Sequence, residues 1–390
     1  MILGAGVMQA PLIKKARELG YFALVVGSKG NFPGLQYASK AIFQDFCDSE
    51  AVVQIAHEEK IDGVWTCGLD LPVRTMSIVS EKLGLPGISA EAGRIVNDKK
   101  KMKECFLAGG VRTAKFEIAT SRESGYEIFE RFGSAVMFKA PDSQGSTGIV
   151  KVTSKEQIPY AYKTVKNASR SEHYVIEEFL DGEEFGAQAL VVDGKLKFVL
   201  PHGDYVFQGD TGVPIGHFVP CSLSQKNIDD CSAELEKCIK AIGLKTCAIN
   251  ADFMLCNDQV YFLEIGARCG ATMLAETTSL FFGIDYYEQM INAALGKPVR
   301  FPAKPQGSPN ITMTLYSDKN GIITEQQNNN PTNEDIVEVH FDYKTGDEVR
   351  KFKLGKDRIG HVIVKGKSLE LAKKTLHDCM QNVILKVKQF

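Results

Sequence analysis

AINADFMLCNDQVYFLEIGARCG, residues 248–270, reads as two apolar strands folded back on each other near Asn257-Asp258. Asp252 lies on the first strand and Glu264 on the second. Counting back from the turn brings the two close to opposite. Facing carboxylates repel unless a proton or a cation intervenes. A hard ion such as Mg²⁺, bound together with phosphate oxygens, would relieve that repulsion. Arg268, four residues beyond Glu264, could then hold a substrate carboxylate or a transferring phosphoryl group. An exposed hairpin would instead leave both acids in water, so the surrounding sequence must choose.

Upstream, AVMFKAPDSQGSTGIV (135–150) puts Lys139 on a strand before a loop containing Ser143, Gly145, Ser146, Thr147 and Gly148. Small residues let backbone N–H groups converge on an anion, and the lysine would neutralise phosphate charge. No Lys-Ser/Thr pair follows the glycines, so this is not a Walker loop, and a plain surface loop is the competing reading. In YVIEEFLDGEEFG (174–186), Glu177 and Glu178 end a strand and Glu183-Glu184 follow a turn. Either this is a solvated hairpin edge, or Glu184 accepts from ribose hydroxyls while the backbone from Glu178 to Leu180 reads an adenine edge. His202, Asp204, Asp210 and His217 fall among turn residues in 202–220. There His217 would bind phosphate or accept the amine proton, or merely satisfy a loop backbone.

Residues 1–90 alternate short apolar strands with amphipathic helices, the pattern of a parallel sheet covered on both faces. Its strand C-termini, including Gly4-Ala5-Gly6 and Cys67-Gly68, should share one edge. The first turn is not a dinucleotide fingerprint. Gln9 stands where the third glycine belongs, and the second strand ends VVGSKG without an acid for a ribose hydroxyl. The middle of the chain reads as α+β: a basic helix in NDKKKMKECFLAGG (97–110), several strands, and a hairpin turned at Asp193-Gly194. Residues 300–390 read as a small α+β end region closed by the helix SLELAKKTLHDCMQNVI.

With 46 basic and 48 acidic side chains, the net charge of −2 gives no nucleic-acid footprint. No apolar run approaches the ~20 residues that span a bilayer, and the N-terminus carries no basic leader, so a cytoplasmic location is expected. Ten scattered cysteines contain no CxxC pair, which argues against a zinc site or a disulfide framework. Trp65, Cys67 and the methionines read as core.

Taken in order, these motifs resemble the ATP-grasp superfamily of carboxylate–amine ligases, in its amino-acid ligase or carbamoyl-phosphate-synthase-like branch. The resemblance covers residues 1 to about 300. It implies a fold with an N-terminal α/β parallel-sheet domain (1–95), α+β ATP-grasp domains (96–300) and a small C-terminal α+β domain (301–390). It also implies Lys99 and Lys139 on ATP phosphates, the loop with Ser143, Gly145 and Ser146 closing over them, and Glu177, Glu178, Leu180 and Glu184 around adenine and ribose. Asp252 and Glu264 would hold Mg²⁺, with Mn²⁺ as a substitute. Arg268 and Lys139 would act on the reacting groups, and His217, read from the residues alone, is the third catalytic candidate. The implied reaction activates a carboxylate as an acyl phosphate and joins it to an amine, releasing ADP and phosphate. Amino-acid-like substrates are the first expectation. A purine-biosynthetic or biotin-carboxylase-like ligase is the second, and a non-catalytic nucleotide-binding interaction protein the third. The partners implied are small molecules only, with a homodimer left open. Gly266 departs from the resemblance, because many members carry a metal-contacting Asn at that position.

Overall fold

The computed structural model describes residues 1–143, 145, 147–209 and 212–390. At the N-terminus, strands Ile2–Leu3, Leu24–Gly27 and Lys40–Phe43 pair in parallel, as the alternating pattern requires. Helices Ala10–Glu18, Ser49–Glu58 and Val73–Leu83 accompany them. The strand expected in GVWTCG is reduced to two isolated bridges, Trp65 to Ile2 and Cys67 to Cys269. The second bridge fastens the end of the parallel sheet to the residue following Arg268.

A second, four-stranded sheet is antiparallel, in the order Phe116–Ala119, Tyr174–Glu178, Val136–Lys139, Ile149–Val152. Ile128, Phe138, Val165 and Ile176 fill the space between it and helices Arg122–Phe132 and Ile158–Ala168.

The largest sheet has eight strands. Its order is Gln259–Gly266, Cys247–Cys256, Glu183–Val192, Lys195–Val206, Pro214–Val219, Asn310–Leu315, Gly360–Lys365, Ile336–Phe341. Two strand pairs in it correct the turn-rich reading of 202–220. His202 and Asp204 sit inside Lys195–Val206, and His217 sits inside Pro214–Val219 directly opposite Asp204. These polar residues resemble a loop in sequence because they line a polar sheet face; Tyr205 and Phe218, alternating with them, pack together at 5.3 Å. Asp210 lies outside the described residues. The same sheet continues across residue 300, so strands from the C-terminal region extend the sheet that begins with the Asp252–Glu264 hairpin.

One aromatic cluster aligns the hairpin with the helix Lys99–Ala108. Phe253 and Phe262 pack at 4.4 Å, Phe185 meets Phe253 at 5.3 Å, and Phe106 meets Phe262 at 5.0 Å. Phe106 follows Lys99 and Lys103 at helical spacing, so anchoring its ring sets where both lysines emerge. Asp98 caps this helix by accepting from the N–H groups of Lys100 and Lys101. Among the described residues no helix is long and apolar enough to cross a membrane.

Truncating Phe262 to alanine would open a cavity at the centre of this cluster. Phe262→Ala is expected to cost about 3–5 kcal/mol in urea unfolding. A loss below about 1 kcal/mol would show that the ring does not anchor the hairpin.

Candidate active site

The hairpin strands pair Asp252 directly with Glu264, and then slip so that Phe253 pairs with Phe262. Leu263 is the extra residue. In a regular strand Phe262 and Glu264 would face the same side. The bulge reverses one of them, so the acids face the cleft while the phenylalanines enter the core. Burial and then the Glu264 charge push the Asp252 carboxyl well above the ordinary carboxylate range. Such a pair suits a bound hard cation, whose charge would oppose both effects.

Lys99 reaches this pair from its helix. Its Nζ donates to Glu264 Oε1 at 2.9 Å and to the Ser143 carbonyl at 2.8 Å. The lysine thereby joins the hairpin to the small-residue loop. Within that loop Ser143 Oγ donates to the Thr147 carbonyl at 2.6 Å, and Gly145 adopts a left-handed φ of 60°. Ser146 lies outside the described residues. Lys99, Ser143, Asp252, Glu264, Arg268 and Arg74 all line one cavity of about 500 Å³, within the range of small-ligand sites.

Lys139 is arranged differently. Its Nζ donates to Glu177 Oε2 at 2.9 Å, and the fully buried Lys103 approaches the same oxygen at 3.1 Å. Glu177 is therefore a buried counter-charge to two lysines through Oε2, while its buried Oε1 has no hydrogen-bond partner among the described residues. Burial lowers Lys103 to about 8, with Glu177 opposing the shift. For Lys139, burial also opposes the charge, but the Glu177 carboxylate outweighs it and raises the pKa. The carboxyl of Glu177 is itself depressed, because the two ammonium groups outweigh its desolvation.

The adjoining strand end is partly committed to the fold. The N–H groups of Glu178 and Phe179 donate to the carbonyls of Lys115 and Ala135, and Glu178 Oε1 accepts from Lys115 N–H at 2.8 Å. Leu180 follows, half-buried. Glu184 opens the next strand with an accessible carboxylate. Its pKa is raised by the surrounding walls and then by the Asp204 charge.

Arg268 is held by an acid that sequence spacing did not suggest. Its Nε and Nη2 donate to the two oxygens of Asp70 at 2.7 and 2.8 Å, a bidentate pair across 198 residues. This pair accounts for Gly266. A Cβ at 266 would lie 2.8 Å from Asp70 Oδ1, so an Asn there would collide with the carboxylate that orients Arg268.

Asp204 Oδ1 accepts from Nδ1 of His217 at 2.6 Å and Nδ1 of His202 at 2.8 Å. These three side chains are close enough together to hold a cation, although hydrogen bonding alone already explains their approach. The Asp204 carboxyl is depressed because the two imidazoles outweigh its burial. Burial lowers the His217 pKa against the pull of Asp204. Gly186 makes room for this cluster, since a Cβ there would sit 2.2 Å from the His202 ring. Gly186 is also the cross-strand neighbour of Asp252. The histidines and the acid pair thus share one sheet face.

Sequence reasoning missed Lys103, Asp70 and the partner role of Glu177. Lys103 had a local signal, one helical turn beyond Lys99. Asp70 had none, because only the folded chain brings it to Arg268.

Two family models match this chain: "phosphoribosylglycinamide synthetase, ATP-grasp (A) domain" over residues 97–272, and "L-amino acid ligase C-terminal domain 2" over residues 313–388. A crystal structure of phosphoribosylglycinamide synthetase from Anaerococcus prevotii is 31% identical, covers 99% of this chain and 98% of its own, and superposes with a TM-score of 0.86. The formate-dependent phosphoribosylglycinamide formyltransferase of Methanocella arvoryzae is 24% identical over 78% of this chain and 74% of its own length. The L-amino acid ligase of Bacillus licheniformis shares the fold, with 17% identity over 100% of this chain and 98% of its own and a TM-score of 0.84. A nucleotide-dependent ligase scaffold is the class these matches and the fold define. The chain belongs to the ATP-grasp ligase superfamily.

Two measurements check the buried contacts. Glu177→Gln leaves two buried lysines without a counter-charge and is expected to destabilise by about 3–5 kcal/mol in denaturant unfolding. Since the folded pKa of Glu177 is depressed from 4.5, its contribution is complete above that pH and fades as pH falls through the lower value. A cost below about 1 kcal/mol would remove Glu177 from the role of shared counter-ion. Gly266→Asn is expected to cost about 1–3 kcal/mol, and most of that cost should vanish in an Asp70→Ala background. Equal costs in both backgrounds would mean the collision lies elsewhere.

Proposed function

We propose that this protein is an ADP-forming ligase that activates a small carboxylate as an acyl phosphate and passes it to an amine. The observation that carries the reading is the convergence of Asp252, Glu264, Lys99 and Arg268 on one cavity. In the first step, a carboxylate oxygen bonds to the γ-phosphorus of ATP, the bond to the bridging oxygen breaks, and ADP leaves. In the second, the amine nitrogen attacks the acyl carbon, inorganic phosphate departs, and the nitrogen loses a proton.

The chain's own residues supply positioning and charge. Lys99 and Lys139 would neutralise ATP phosphates, and the loop with Ser143 and Gly145 would cover them. Glu184 and the backbone up to Leu180 would contact the nucleoside. Glu177 acts indirectly by holding Lys139. Asp252 and Glu264 would hold Mg²⁺, or Mn²⁺ in its place, and such an ion would supply electrostatic stabilisation of negative charge. Arg268, oriented by Asp70, would steady the reacting carboxylate or phosphate. Asp204 would hold His217 with Nδ1 protonated, leaving Nε2 as the basic nitrogen for the amine proton.

On similarity, a purine-biosynthetic acceptor of the phosphoribosyl type outweighs the amino-acid-joining reading. The amino-acid reading keeps one specific support, the L-amino acid ligase domain match over residues 313–388. The presence of both acids with Lys99 in one cavity, and of Lys139 held nearby by Glu177, speaks against a purely nucleotide-binding role.

Glu264→Gln is expected to lower substrate-dependent ADP release by at least about 100-fold while nucleotide binding changes far less. Wild-type turnover in this variant would exclude Glu264 from the metal set. Release of AMP and pyrophosphate by the wild-type protein would reject the mechanism itself.

A further inference from the structure

A second cavity, of about 540 Å³, lies at the C-terminal ends of the parallel strands. Its walls are largely apolar, with Val7, Phe32, Leu35, Ile42, Phe46 and Leu69 prominent among them. This is where open α/β sheets bind small ligands, and it adjoins the acid hairpin. Leu69 precedes Asp70, while Ala271 and Thr272 follow Arg268 by three and four residues and line the same cavity. Thr272 and Met273 hold left-handed backbone at φ of 56° and 63°. Non-glycine residues keep that conformation where the surrounding structure imposes it, often at ligand sites.

The charges in this cavity do not suit a sugar phosphate. Arg358 is already bidentate on Asp342, at 2.7 and 2.9 Å. Lys356 is the cation on this wall with no acid partner among the described residues. One ammonium group matches a single carboxylate, and the apolar walls match a hydrocarbon body. Ribose hydroxyls placed here would lose water without gaining comparable partners. The volume suffices for a large aliphatic or aromatic amino acid.

We propose that this cavity binds a hydrophobic α-amino acid, of the size of leucine or phenylalanine, as the amine substrate of the ligase. Its side chain lies on the apolar wall, its free carboxylate meets Lys356, and its amine points toward the Asp70–Arg268 end. The proposal rests on the ligase reading above and selects the substrate class that the relatives alone leave in second place.

The test combines phosphate release with calorimetry. Full-length protein with MgATP and a panel of carboxylates is supplied with glycine, L-alanine, L-valine, L-leucine or L-phenylalanine, or with phosphoribosylglycinamide plus formate. We expect kcat/KM for leucine or phenylalanine to exceed that for glycine by about 10–200-fold, and calorimetry to detect L-phenylalanine binding directly. Phe43 lines the cavity and is 55% exposed, so its replacement leaves the core intact. Phe43→Lys should weaken L-phenylalanine binding and lower its kcat/KM by about tenfold or more. Turnover with phosphoribosylglycinamide and no binding of leucine or phenylalanine would overturn the proposal while leaving the ligase reading intact. Phosphate release with no substrate pair would remove the ligase reading instead. In that case calorimetric binding that Phe43→Lys weakens would still support the cavity assignment, and absence of binding would end it.

Discussion

Two carboxylates facing each other across an antiparallel pair are unfavourable by themselves, and the rest of the site follows from how the fold tolerates them. The bulge at Leu263 sends Glu264 to the cleft and Phe262 to the core, so one short strand serves both charge and packing. Lys99 then offsets part of the acid charge at 2.9 Å. It can do so because Phe106, on the same helix, is locked against Phe262. The apolar cluster on one face of the hairpin thus fixes the electrostatics on the other.

A similar economy governs the remaining cations. Glu177 is shared by Lys103 and Lys139, which leaves the group with net positive charge inside the fold. Buried groups of unequal charge are costly without compensation; the Glu264 and Glu184 charges also act on Lys139, and in the ligase reading proposed above a phosphate-bearing ligand would add to them. Arg268 is compensated in advance by Asp70, at a site where Gly266 has no side chain to interfere. The glycine that departs from the family pattern is therefore part of an ion-pair arrangement between residues 198 apart in the chain.

Much of the fold was legible because periodicity records burial directly. The parallel N-terminal sheet, the basic helix at Lys99 and the hairpin turned at Asn257-Asp258 all emerge where alternation and spacing put them. The 202–220 segment reads as turn because two neighbouring strands that share a buried polar face, carrying His202, Asp204 and His217, look like loop when each residue is judged singly. Its pairing partners, including Asn310–Leu315, are too distant in the chain to enter a local window. The GVWTCG strand failed for the converse reason: an apolar run found only single bridges on either side.

What the sequence determined by itself was the order of chemical groups: lysine, lysine with a glycine-rich loop, clustered glutamates, and two acids followed by arginine. Order and residue type are covalent facts, and they suffice to indicate a class of chemistry. Tertiary structure alone decided the partners. It gave Glu177 to two lysines, Asp70 to Arg268 and Asp204 to two histidines, and it lined the neighbouring cavity with hydrocarbon. Such choices depend on distances of 3 Å between groups up to 198 residues apart, and only the packed chain sets distances of that kind.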